Sequence, residues 1–328
     1  MKKSTKFIAG VVSVLLILVL LGGSLLLQQR EDGNIVGAGT SEHALQKKDS
    51  LEYNGKTYPL KRHIRTLLVM GTDKFNPEED VSGLFYNYQQ ADFQTVLIFD
   101  QDKKTCTPIQ INRDTMCDVP WLSVNGKVGG TKFCQIALSH TYGSGAEDSC
   151  VNSRNAISSL MFDAPIDHYV SFSLDSIQII NDLVGGVTVT VPDNAIAYAD
   201  PDFVEGNTVL LQGDKAMKFV RTRDKEVFGS NIDRMSHQRV YLGGFVQAAR
   251  ECYAEEDEFS LKAYDQLSPY MVTDLSLNDL NETVQMLVEY EILPIETPKG
   301  ELKLGTQFAE YYIDYDSLWD LVKNAYCT

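Results

Sequence analysis

The stretch His63-Ile64-Arg65-Thr66-Leu67-Leu68-Val69-Met70-Gly71-Thr72-Asp73 decides the fold. Four consecutive apolar residues, Leu67 to Met70, leave no polar side. A strand over residues 63–70 is therefore expected to be buried on both faces, as in sheets covered by helices twice over. Gly71-Thr72 ends the run and leaves Asp73 at its tip, where α/β sheets place ligand-binding groups. The ordinary alternative for a single such aspartate is a turn residue.

Working outward, a polar segment rich in Asn and Glu leads to Asp92, which precedes a second apolar strand at 95–100. Residues 105–111 are expected to pair with it through the short turn Gln101-Asp102-Lys103-Lys104. They run directly into Asn112-Arg113-Asp114. Pro120, Gly126, Gly129 and Gly130 give residues 118–130 the composition of a loop. Helices are predicted at 153–162 and 173–183, the second stopped by Gly185-Gly186 before a strand at 187–191. A short helix at 214–219 leads to Arg221-Thr222-Arg223, and Ser230 or Asn231 can cap a long helix reaching about residue 250. Two more are predicted at 276–290 and 317–326. Interleaved strands and helices make the class α/β, with a central mixed β-sheet flanked by helices on both faces.

The 328-residue chain carries a net charge of −16, which argues against nucleic-acid binding through a broad basic surface. Residues 7–27 are apolar apart from small residues such as Ser13 and Ser24, and as a helix span roughly 30 Å, enough for a bilayer. Lys2, Lys3 and Lys6 precede this run, while Glu31 and Asp32 follow Arg30. The positive-inside rule then puts the N-terminus in the cytoplasm and the rest outside, as a single-pass protein of the cell membrane. A cleaved signal peptide is the alternative, although the run is long for one and lacks a clear A-x-A site. The domain plan is a cytoplasmic tail at 1–6, a transmembrane helix at 7–27, a polar stalk at 28–60 and a folded domain at 61–328.

Cys106, Cys117, Cys134, Cys150, Cys252 and Cys327 all lie beyond the apolar span. An even count in an exported body predicts disulfides, with pairing among Cys117, Cys134 and Cys150 one possibility and the connectivity open. No C-x-x-C or ligand-spaced histidine set supports a zinc or redox centre. No G-x-S-x-G elbow or P-loop occurs, and Ser139-His140 reads as structural.

Arginine forks bind phosphate oxygens in bidentate fashion. Arg221 and Arg223, at i and i+2, share a side if extended. Arg234 and Gln238, at i and i+4, share a helix face with His237 and Tyr241 beside them. Arg239 falls elsewhere on that helix and reads as a surface or ion-pair residue. A solvated surface explains any one pair. Together with Arg113, three such segments in an acidic chain point to a local pyrophosphate pocket. Asp73 and Asp92 could supply two oxygens to Mg²⁺ (or Mn²⁺), leaving positions for phosphate. Their alternative reading is as capping aspartates.

The ordered set Leu67-Leu68-Val69-Met70-Gly71-Thr72-Asp73, Ala91-Asp92, Ile111-Asn112-Arg113-Asp114-Thr115, Asp182-Leu183-Val184-Gly185-Gly186-Val187, Gly213-Asp214-Lys215-Ala216-Met217, Val220-Arg221-Thr222-Arg223 and Arg234-Met235-Ser236-His237-Gln238-Arg239 resembles the LytR-CpsA-Psr family of cell-envelope proteins. The resemblance runs from about residue 62 to the C-terminus. It implies a membrane-anchored, Mg²⁺-dependent phosphotransferase. Such an enzyme moves a glycopolymer, such as teichoic acid or capsule, from an undecaprenyl-pyrophosphate carrier onto peptidoglycan as a phosphodiester. By motif, it implies that Asp73 and Asp92 hold the metal and that Arg113, Arg221, Arg223 and Arg234 clamp the pyrophosphate. Gln238 would complete the contact, Asp114 would orient Arg113, and an apolar cleft would take the polyprenyl tail.

The chain departs from the family pattern in places. Gln90, grouped here with the substrate-binding residues, stands where the family usually has an arginine. His237 replaces a frequent arginine, Asn231 an aspartate, and Gln110-Ile111-Asn112 a serine-proline pair. The missing charge at Gln90 motivates a second reading, a non-catalytic polyprenyl-phosphate-binding scaffold of envelope assembly. A polyprenyl pyrophosphatase using the same residues is a third. A transcription regulator fits badly, because the acidic body would lie across a membrane from DNA.

Overall fold

The computed structural model describes residues 48–73, 87–123, 126–255, 259–306 and 308–328. Residues 7–27, the expected transmembrane helix, and most of the expected stalk lie outside them. No helix of the described residues is long and apolar enough to cross a membrane.

A hairpin of β1 (Ser50–Tyr53) and β2 (Lys56–Pro59) comes first. The quoted apolar run forms β3 (Ile64–Thr72), followed by β4 (Ala91–Asp100) and β5 (Thr105–Gln110), joined as expected by the turn after Asp100. A second hairpin, β6 (Met116–Leu122) and β7 (Val128–Gln135), precedes α1 (Glu147–Leu160) and β8 (His168–Ser173). Then come α2 (Ser176–Leu183), the antiparallel pair β9 (Val187–Thr190) and β10 (Thr208–Leu211), α3 (Asp214–Arg221) and α4 (Asn231–Glu255). The chain ends through α5 (Phe259–Leu267), β11 (Met271–Thr273), α6 (Leu277–Glu289), β12 (Glu291–Ile292), the hairpin β13 (Gly300–Leu304) and β14 (Ala309–Ile313), and α7 (Tyr315–Tyr326).

The central sheet has the order β11-β8-β3-β4-β5-β12. β8 runs parallel to β3 and β12 parallel to β5, while the other pairs are antiparallel, so the sheet is mixed. Side-chain alternation divides the apolar run between two cores. Leu67, Val69, Leu97 and Phe99 face one, with residues of α2 to α6. Leu68, Met70, Val96 and Ile98 face the other, with residues of α1 and α7. Helices thus cover both faces, as burial of the strand on both sides requires. α4 lies close on β9: a Cβ at Gly244 would fall 2.4 Å from the Thr188 carbonyl oxygen, so only glycine allows this approach.

Three expectations are corrected. Residues 118–130 are mostly strand, because the glycines there make room for a ring instead of a turn. A Cβ on Gly129 would sit 2.2 Å from the Trp121 ring, which covers the facing strand. The stalk gives way to the body before residue 61, since Leu51 is 1% exposed and Tyr53 stacks on Trp319 at 4.6 Å. Cys106, Cys117, Cys134, Cys150 and Cys327 are buried thiols and form no disulfide among the described residues. Cys117 and Cys134 oppose each other across β6 and β7, whereas Cys106 and Cys150 belong to opposite cores and act as small apolar side chains. Burial pushes the Cys117 thiol up to about 12 and holds it protonated.

Candidate functional site

The site forms where β3 and β8, parallel neighbours, end side by side. The register of β3 against β4 breaks at the tip of β3: Gly71 pairs with Phe93 and Thr72 with Ala91, leaving Asp92 as the extra residue of a bulge. Bulges re-aim side chains, and Asp92 borders the cleft beyond the strand ends together with Asp73. The Asp73 N–H donates to the Gln90 carbonyl at 3.3 Å, which fixes the two segments to each other.

Arg113 follows β5 in a turn pinned by its neighbours. The Asn112 side-chain oxygen accepts from the Asp114 N–H and from Asn231 Nδ2, both at 2.9 Å. One guanidinium nitrogen of Arg113 meets Asp92 Oδ1 and the other donates to Gln90 Oε1. Asp114 lies 3.4 Å from Arg113 Nε and accepts from Gln135 Nε2 at 2.9 Å, as an orienting residue should. From α4, Arg234 donates to the second oxygen of Asp92 at 3.2 Å and to Asn231 Oδ1 at 2.7 Å. Asp92 therefore holds one guanidinium on each oxygen.

Burial, opposed by Asp114 and reinforced by Arg234 and Arg223, brings Arg113 down to about 10. Burial and then Arg223 do the same for Arg234. Both remain cationic at neutral pH. Burial also raises the Asp114 carboxyl against the pull of Arg113, Arg223 and Arg234. Such mutual influence means that Asp73, Asp114, Arg113, Arg221, Arg223 and Arg234 sit within one electrostatic neighbourhood.

Behind this polar mouth lies a cleft of about 790 Å³, walled by Phe93, Phe172, Ile177, Ile180 and Leu242 among others. Asp73, Asp92, Arg221, Arg234 and Gln238 line its polar side. Gln238 Nε2 donates to the Val220 carbonyl at 3.3 Å, and its buried Oε1 has no partner among the described residues. Tyr241 lines the cleft and donates to Asn181 Oδ1 at 3.3 Å.

Not every sequence reading places its residue here. Arg221 and Arg223 are not neighbours on one extended side. α3 runs on to Arg221, the Thr222 N–H donates to the Lys218 carbonyl, and the backbone becomes extended only at Thr222. Arg221 then lines the cleft, whereas Arg223 lines a second, smaller cavity. Arg239 is no surface residue: its Nη1 donates to Gln110 Oε1 at 3.0 Å, tying α4 to β5. His237 is fully buried, donates to Asp193 Oδ1 at 3.1 Å and packs edge-on against Phe219. Among the missed residues are Asn112, Asn231 and Gln135, which position the charged groups. No spacing rule marks a neutral amide as a brace. His140 is structural as expected, its Nδ1–H donating to the Gln89 carbonyl at 3.2 Å.

Fold and site together define an α/β protein with an arginine-and-carboxylate cluster at the mouth of an apolar cleft. The chain belongs to the LytR_cpsA_psr family, which it matches over residues 34–321. It is similar to the polyisoprenyl-teichoic acid–peptidoglycan teichoic acid transferase TagU of Enterococcus faecalis, 27% identical over 225 residues that make up 66% of this chain and 63% of that one. Against TagT of Bacillus subtilis it is 22% identical over 219 residues, 65% of this chain and 59% of the relative. The chain thus spans somewhat less than two thirds of these relatives. The fold is shared with B. subtilis TagV, at a TM-score of 0.60 and 18% identity over 81% of this chain and 96% of that one. It is also shared with TagT bound to LIIa-WTA, at a TM-score of 0.57 and 17% identity over 80% and 89%.

Proposed function

We propose that this protein is a membrane-anchored phosphotransferase that moves a glycopolymer from a polyprenyl-pyrophosphate carrier to peptidoglycan, leaving a phosphodiester. The observation that carries this reading is an apolar-walled cleft lined at its mouth by Arg221 and Arg234, with Arg113 and Arg223 in the same electrostatic neighbourhood. A diphosphate attached to a hydrocarbon chain needs both parts at once. The names of the TagU and TagT relatives, teichoic acid transferases acting between a polyisoprenyl carrier and peptidoglycan, support the same reading.

In the proposed reaction an acceptor hydroxyl attacks the phosphorus that bears the glycopolymer. The bond to the bridging oxygen breaks, polyprenyl monophosphate leaves, and the hydroxyl proton is released to solvent. Phosphoryl transfer of this kind needs positioning and charge neutralisation more than covalent help. Arg221 and Arg234 would meet the diphosphate from the cleft, with Arg113 and Arg223 completing the charge around it. In the ligand-free protein Asp92 holds Arg113 and Arg234 in place of the substrate oxygens. Gln238 Oε1, buried and unpartnered, is free to order a hydroxyl or water at the diphosphate.

Mg²⁺ fits the donor set. Two hard carboxylates, Asp73 and Asp92, border the mouth, and once a diphosphate drew Arg113 and Arg234 away, the oxygens of Asp92 would be open to an ion. That suits an ion that takes one or two carboxylates and fills its shell with phosphate oxygens and water. When bound, it would neutralise charge on the leaving phosphate. The apolar residues 7–27 would anchor the chain with its N-terminus in the cytoplasm and the folded body outside.

The test uses the full chain in lipid nanodiscs with a polyprenyl-pyrophosphate-linked glycan, Mg²⁺ and a peptidoglycan oligosaccharide. Mass spectrometry should find glycan phosphate joined to the oligosaccharide, lost on chelation and in Asp73→Ala. Phosphorylated glycan appearing only in water would instead make the protein a pyrophosphatase. Donor bound without turnover would make it a scaffold.

A further inference from the structure

We propose that the second cavity, beside Arg223, is the subsite for the acceptor saccharide, an inference that rests on the transfer reading above. This cavity is built from three segments. Ala195 and Ile196 come from the connection after β9, Thr222 to Val227 from the connection between α3 and α4, and Ser230 and Asp233 from the start of α4. Arg221 lines the apolar cleft and Arg223 this cavity, so the chain turns between the two spaces at Thr222. Arg223 also acts on Arg113 and Arg234, lowering the pKa of each. A group seated here therefore adjoins the place where the diphosphate would be held.

The lining matches a neutral sugar better than other ligands. Asp224 and Asp233 put carboxylates on the cavity, which would repel a second phosphate but accept hydrogen bonds from hydroxyls. Ile196 and Val227 offer apolar contact to the C–H face of a pyranose ring. Ser230 is only 5% exposed, and its Oγ has no hydrogen-bond partner among the described residues. A buried hydroxyl without a partner is costly, and a sugar hydroxyl or acetamido group would satisfy it. Tyr198, 64% exposed, follows the lining residue Ile196 by two positions on the same connection after β9. It is a flat apolar surface of the kind that stacks on saccharides, and an acyl chain would gain little from so polar a floor.

The experiment uses the full chain in nanodiscs and two separate binding arms. One arm titrates the uncharged tetrasaccharide of N-acetylglucosamine by calorimetry. The other titrates a fluorescent polyprenyl diphosphate. Wild type is compared with Val227→Trp, which fills the cavity from an exposed position, and with Asp224→Asn, which is isosteric and keeps the turn to the Glu226 N–H. Thermal unfolding checks that both variants fold. Tetrasaccharide affinity should fall at least tenfold in both, with polyprenyl diphosphate binding within twofold of wild type. Unchanged tetrasaccharide affinity in either folded variant, or no tetrasaccharide binding to wild type, would overturn the proposal. Failure of the transfer reading shows elsewhere, as absence of polyprenyl diphosphate binding in the second arm.

Discussion

The two faces of the central sheet draw on the same strands and are closed in opposite ways. On one face Leu68, Met70, Val96 and Ile98 meet α1 and α7, and the packing is sealed by rings: Trp319 contacts Tyr53, Tyr58 and Phe162 at 4.6, 4.8 and 5.2 Å. On the other, Leu67, Val69, Leu97 and Phe99 meet α2 to α6, but that cover stops short of the strand ends and leaves the cleft. There Arg113 Nε, Arg234 Nε and Gln238 Oε1 are buried without hydrogen-bond partners among the described residues. Unpaired buried groups of this kind cost about 1–3 kcal/mol each. The sealed face carries such a group too, Tyr326 Oη, but on the open face Arg234 and Gln238 line the cleft, where a ligand could complete them.

The largest expected effect falls on the open face. Arg234→Ala removes a guanidinium that Asp92 and Asn231 hold at the cleft. Transfer by the full chain should drop by about 10³-fold, equivalent to about 4 kcal/mol of barrier. The melting temperature should fall too, but by less than for Trp319→Ala, because Asp92 keeps Arg113 on its other oxygen while Asn231 Oδ1 loses its donor. Trp319→Ala should do the reverse. It is expected to cost about 3–5 kcal/mol in urea unfolding, with transfer per folded molecule unchanged. If Arg234→Ala unfolded the protein as readily as Trp319→Ala, the division of labour between the faces would fail.

Acid should also act first through the sealed side. His140 packs near Cys150 of that core, and burial brings its pKa down to about 4. The unfolded chain binds a proton near the ordinary pKa of about 6.5, which the folded chain refuses until much lower pH. Stability from this residue is therefore complete above about pH 6.5 and is lost as pH falls toward 4, by roughly 3 kcal/mol in all. His140→Gln keeps an N–H for the Gln89 carbonyl and does not titrate. Its urea midpoint should fall less than that of wild type between pH 7 and 4.5, and equal losses would exclude His140 as a source of acid sensitivity.

Much of the sheet was legible because one physical signal carried it: Leu67 to Met70 has no polar side, so helices had to cover both faces. The charged site residues were legible by type, since arginine and aspartate stand out in an acidic chain and at strand ends. What could not be read was set by contacts between distant segments. The bulge that frees Asp92 depends on the register of β3 against β4, and the division of Arg221 from Arg223 depends on where α3 stops. Gly129 and Gly130 signal a turn by composition but form a bed for Trp121, which only the pairing of β6 with β7 reveals. The cysteines misled for a related reason. An even count says nothing about Cys106 and Cys150 being placed in opposite cores.

The smallest expected effect is a gain on the open face. Gln90 Oε1 accepts from Arg113, so in the ligand-free protein it neutralises nothing but holds one fork in place. Gln90→Arg removes that acceptor and adds a further cation beside Arg113. Without an anion the like charges repel, and stability should fall by no more than about 1 kcal/mol. With a diphosphate present the new fork can make a charge-assisted hydrogen bond, and part of its about 1.5–3 kcal/mol should appear as binding. Affinity for a polyprenyl diphosphate should rise about tenfold, and the gain should shrink as salt is raised. A gain in turnover from a wild type that binds but does not transfer would favour the scaffold reading. An unchanged dissociation constant would mean that Gln90 serves only the pose of Arg113, making the open face less adjustable than its unpaired groups suggest.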